Sequence, residues 1–154
     1  MNKANCRQRL PLLATVFWIA AAVIFIFSQS LPDIPASQAQ SERVMEIVEP
    51  ILEPIVGEGN VTNHLVRKLA HFTEFGVLGM ALSTLLVLLG CTLSRLLHAL
   101  SFAALIALSD ETLQLFSQRG SQVQDVWLDI AGAVCGLAFI LLLRQLYRLL
   151  RRRG

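Results

Sequence analysis

Residues 67–89 read RKLAHFTEFGVLGMALSTLLVLL, and this stretch decides the fold. It opens on Arg67, Lys68, His71 and Glu74. After Glu74 come 20 residues without a charge, up to Arg95. An apolar run of that length suits a helix crossing a hydrocarbon core of roughly 30 Å. Three other stretches behave alike. Residues 10–32 hold no charge over 23 positions, residues 96–116 carry only Asp110 and Glu111, and residues 126–143 carry only Asp129. The reading is an all-α, polytopic membrane protein: a small bundle of four transmembrane helices at about 10–30, 67–90, 95–116 and 125–147, in a single domain over 1–154.

Composition agrees. Of 154 residues, 55% are hydrophobic and 16% charged, where soluble domains have about 25% charged residues. Mean hydropathy is +0.60. The first run follows a basic start (Lys3, Arg7, Arg9), as a signal peptide would. It exceeds the usual signal core of roughly 7–15 residues, so it reads as a retained anchor. Cys6, Cys91 and Cys135 form no CxxC and no disulfide framework.

Basic residues in short loops mark the cytoplasmic side. Lys3, Arg7 and Arg9 precede the first run, Arg95 separates the second and third, and Arg144, Arg148, Arg151, Arg152 and Arg153 follow the fourth. With four spans these positions share one side, so both termini are expected in the cytoplasm. Acidic residues sort oppositely: Asp33, Glu42, Glu46, Glu49, Glu53 and Glu58 fall in the long first outer loop. The terminal RLLRRRG touches anionic lipid on this reading, and no nucleic-acid partner is expected. Within the loop, Val44, Val48, Ile51, Leu52 and Ile55 recur at helical spacing. They predict a short amphipathic helix that Pro50 and Pro54 break or kink.

Depth brings the internal charges together. Glu74, Asp110 and Asp129 each lie about 14 to 16 residues from the inner boundary of their span, ~22 Å up at 1.5 Å per residue. His71, Glu111, Gln114 and Asp125 sit at that level or just above. Arg67, His71 and Glu74 share one helical stripe, and Asp125 and Asp129 share another with Gly132 and Gly136. That GxxxG lets a second helix approach closely. A charge at membrane depth costs about 2.5–3.5 kcal/mol on insertion scales. The acids are therefore expected inside the bundle, partnered by Lys68, Arg67, His71 and Arg119 or partly protonated. Among the other hydroxyls, Ser83, Thr84 and Ser101 are expected to bond back to their own helix carbonyls.

Two segments, RKLAHFTEFGVLG (67–79) and SDETLQLFSQRGSQVQDVWLDIAGAVCG (109–136), resemble the VanZ-like bacterial membrane proteins. That family is named for an accessory protein of teicoplanin resistance. Its Lys-x-x-His-x-x-Glu-Phe pattern is matched by Lys68, His71, Glu74 and Phe75. Its Asp-Glu-x-x-Gln is matched by Asp110, Glu111 and Gln114, and its Arg-x-Gly-Ser turn loosely by Arg119, Gly120 and Ser121. Asp125 opens the last motif, and Asp129 stands where the family more usually has Asn. The resemblance implies a multi-pass protein of the bacterial inner membrane and cell envelope. It suggests a link to antibiotic resistance and implies no settled reaction.

Three active readings remain beside a network that only pins helices together. The first is binding or modification of an amphiphilic envelope ligand, such as a lipid-linked wall precursor or lipoglycopeptide. Lys68, Arg67, Gln114, Arg119 and Asp129 are then binding residues. The second is an intramembrane enzyme acting on a lipid-linked substrate, with His71, Glu74, Asp110, Glu111 and Asp125 as acid–base candidates. His with carboxylates also suits several divalent metals, but no metal motif such as HExxH is present and no cofactor is named. The third is a proton-coupled transporter. Membrane lipids are the expected partners, and the oligomeric state is open.

Overall fold

A computed structural model describes residues 3–31, 34–57, 59–116 and 122–153. Among them the chain is all-helical. Five helices follow in order: α1 (Lys3–Ser30), α2 (Ile34–Val56), α3 (Asn63–Leu89), α4 (Leu93–Phe116) and α5 (Val123–Arg153). Four of them, α1, α3, α4 and α5, are long and apolar enough to cross a membrane.

Helix α3 is the centre of the bundle and packs against each of the other four. Its closest neighbour is α5, for a reason visible in the residues. A methyl group added at Gly79 would collide with the Ala133 carbonyl. One at Gly132 would meet the Phe72 carbonyl, and one at Gly136 the Gly76 carbonyl. The two backbones touch because none of these glycines has a side chain. Ser83 then donates across the seam to the Leu137 carbonyl at 3.0 Å. This corrects the expectation of a bond within its own helix; Thr84 does bond back, to the Met80 carbonyl.

The core is thin and apolar. Ile26, Phe75, Leu78, Ala107, Ala133 and Leu137 are almost wholly buried. Large apolar side chains such as Phe17, Ile24, Leu105, Leu108, Phe139 and Leu142 point outward. In water this would be an extended apolar surface far beyond that of a soluble monomer; against lipid tails it is the expected exterior.

Between α3 and α4 the turn is tight. Gly90 takes a left-handed φ of 87°, open to glycine at little strain. Arg95 donates to the carbonyls of Leu89 and Gly90, covering the end of α3. The Thr92 hydroxyl accepts from the Arg95 amide at 3.3 Å and caps α4.

Helix α2 differs from its expected form. It is 23 residues long and continues through Pro50 and Pro54. These prolines are four apart, so they share one face, and both are exposed. The ring bulk thus points away from α3, and the carbonyls that lose a donor lie on the open side. Ile47, Ile51 and Ile55 form an exposed apolar stripe, while α2 packs on α3.

Candidate functional site

The polar residues gather at one end of the bundle, the end that also carries α2. His71 comes in the second to third turn of α3, and Asp110 in the last turns of α4. Asp129 lies in the second turn of α5, and Ser30 closes α1. Helices running alternately up and down bring these positions to one level.

Asp110 is at the centre and has no exposed surface. Its Oδ1 accepts from the Ser30 hydroxyl at 2.5 Å, and its Oδ2 accepts from Gln114 Nε2 at 2.9 Å. His71 Nδ1 stands 3.7 Å from Asp110 Oδ2 and 3.9 Å from Asp129 Oδ1. Those are ion-pair separations, longer than hydrogen bonds. Asp129 is only 1% exposed, and neither of its carboxylate oxygens has a hydrogen-bond partner among the described residues. One ligand atom from each of His71, Asp110 and Asp129 can be chosen so that all three lie within 4.8 Å of one another.

Two further contacts tie the rim. Lys68 Nζ lies 3.4 Å from Asp125 Oδ1, joining α3 to the first turn of α5. A carboxylate in that first turn also suits the positive end of the helix dipole. Glu111 is buried on α4, and its Oε1 accepts from the Gln122 amide at 2.7 Å. This bond joins the end of α4 to the entry of α5.

Glu74 follows His71 by three residues. It lines the wall of a cavity of about 460 Å³ between α1, α2 and α3. Apart from Glu74 and Thr73 the wall is apolar, with Phe25, Val44, Val48, Leu69 and Val77 among its residues. Glu74 is half-buried there. Ionisable site and apolar groove are thus one turn of α3 apart.

The structure therefore joins most of the residues singled out by the sequence. His71, Asp110, Gln114 and Asp129 meet directly. Lys68 and Asp125 pair beside them, Glu111 closes the α4 end, and Glu74 faces the groove. Arg67 is half-buried and makes no ion pair among the described residues. Arg119 lies outside the described residues. Ser30 was not anticipated. The only signal was the polar ending Gln29-Ser30 on an otherwise apolar run.

A family model described as VanZ/LLP1 matches residues 14–144. The chain belongs to the VanZ/LLP1 family. The match takes in α1 from residue 14 on, all of α2 to α4 and most of α5, so the family unit includes Ser30 and every residue of the polar cluster. Membership and the four long apolar helices together make this a VanZ-like multi-pass membrane protein. Neither the curated proteins nor the solved structures contain a match.

Proposed function

We propose that this VanZ-like protein binds an amphiphile of the outer leaflet of the bacterial inner membrane. Its anionic head sits at the His71–Lys68 end, and its apolar tail lies in the groove between α1, α2 and α3. The observation that carries the reading is the position of Glu74. It belongs to the groove wall, and it lies one turn from His71. A ligand with a charged head and a long tail is the chemistry that fills both places at once. The groove volume also lies within the roughly 300–1,000 Å³ range of small-molecule sites. Lys68, partly exposed at the rim, is suited to meet a phosphate or carboxylate. A lipid-linked wall precursor and a lipoglycopeptide both have this form.

Location follows the same reasoning. The Lys/Arg clusters at both termini and at Arg95 favour those parts in the cytoplasm. That orientation turns the polar site and α2 outward. The family name adds a phenotype to examine, a change in glycopeptide tolerance when the gene is deleted.

A second reading is an acid–base or metal-assisted enzyme on the same ligand. It is favoured by His71 standing between two buried aspartates.

Lipid extracted from gently purified wild-type protein tests the proposal. An anionic, long-tailed species enriched to near one per chain is expected, falling at least about fivefold in Lys68→Ala. A lipid profile equal to that of the bulk membrane in both proteins would refute binding. Turnover of the bound species would favour the enzyme.

A further inference from the structure

We infer that His71, Asp110 and Asp129 form a site for one divalent transition-metal cation. An imidazole from α3 and carboxylates from α4 and α5 bring ligand atoms within 4.8 Å of one another. Two of the separations are 3.7 and 3.9 Å. Neighbouring ligands on an ion with bonds of roughly 2.0–2.2 Å sit about 3.0–3.5 Å apart. Those two separations need to shorten by about half an ångström each to reach that range.

Asp129 supplies a second, separate observation. It is 1% exposed and faces this centre, and among the described residues both of its oxygens lack a hydrogen bond. A carboxylate buried without a hydrogen bond, with only an imidazole 3.9 Å away, is costly. A cation between the three groups gives Asp129 a direct ligand contact and offsets the repulsion between the two aspartates.

Asp110 is already oriented as a ligand. Ser30 and Gln114 each donate to one of its oxygens, which is how outer partners fix a metal-binding carboxylate. The donor set selects the ion class. One nitrogen with carboxylate oxygens suits Mn²⁺, Fe²⁺ or Zn²⁺ better than Mg²⁺ or Ca²⁺, which prefer oxygen alone. The inference is independent of the amphiphile, because an ion can be counted in protein stripped of lipid.

The test uses the full chain without a histidine tag, in detergent, freed of metal by chelator and titrated with Mn²⁺. The protein carries His64→Gln and His98→Gln, which leaves His71 as the one histidine of three. One Mn²⁺ per chain is expected, with an electron-spin-echo signal from a single imidazole nitrogen. Zn²⁺ should displace it, as the usual affinity order requires. Asp129→Asn should weaken Mn²⁺ binding by more than about tenfold. Failure to retain an ion, a bound ion with no nitrogen signal, or an affinity unchanged in Asp129→Asn would each overturn the site. If Asp129→Asn fails to fold, the nitrogen signal of the parent protein decides alone.

Discussion

At the scale of single residues, Asp129 and Ser30 teach opposite lessons. Asp129 is a buried carboxylate without a hydrogen bond among the described residues, so its replacement by an amide should stabilise the metal-free bundle. In chelator, Asp129→Asn is expected to unfold at higher temperature than wild type, by a margin worth about 1–3 kcal/mol. Added Mn²⁺ should raise the wild-type midpoint and leave the variant unmoved, since only a protein that binds the ion gains from it. Ser30 is the converse case. Ser30→Ala removes a donor to the buried Asp110 and should cost about 1–3 kcal/mol, measured by denaturation in the same detergent. The acids could be found from sequence because a charge inside an apolar run stands out. Ser30 could not, because it is 80 residues from Asp110 and a lone hydroxyl on a membrane helix commonly bonds its own carbonyls. The Ser30 hydroxyl lies 3.4 Å from its own Ile26 carbonyl as well, and only packing tells which serine also reaches a neighbouring helix.

At the scale of elements, four spans were legible as uncharged runs, and their seam was legible as Gly132 and Gly136. The structure adds that Gly79 on α3 meets the same seam, so the close approach is made by both helices. Gly136→Val should therefore separate α3 from α5. Overpacking in a core costs about 1–3 kcal/mol, and here the obstacle is the Gly76 backbone, which cannot rotate away. The expected result is loss of the folded form in detergent, seen by size-exclusion chromatography, while Ala138→Val on the exposed side of α5 folds normally. Helix α2 was legible in kind and not in length. Propensity predicts a break or a kink at Pro50 and Pro54, and no break occurs. Their placement on one exposed face lets the helix pass through, and sequence periodicity does not reveal which side will be open.

At the scale of the whole molecule, the formal charge of +2 conceals a separation of basic and acidic residues toward opposite ends. The orientation it implies has a native reporter in Cys91, exposed in the α3–α4 turn. With Cys6 and Cys135 replaced by Ser, Cys91 should react only with a thiol reagent that reaches the cytoplasm. A cysteine in place of Glu46 on α2 should react from outside. The reverse pattern would invert the topology. The level of the polar site could be read by counting helical rise. The groove could not, because it is made by α2 folding back on α3 beside α1, a packing that periodicity does not show. That groove is what turns a polar cluster into a proposed amphiphile site, so it is the place to measure. A photo-crosslinking residue at Val77, in the groove wall, is compared in intact cells with one at Leu105, exposed on α4. One discrete adduct is expected at Val77, the mass of an anionic long-tailed envelope lipid, lost in Lys68→Ala, with only bulk phospholipid at Leu105. The same mixture of bulk phospholipid at both positions would contradict it.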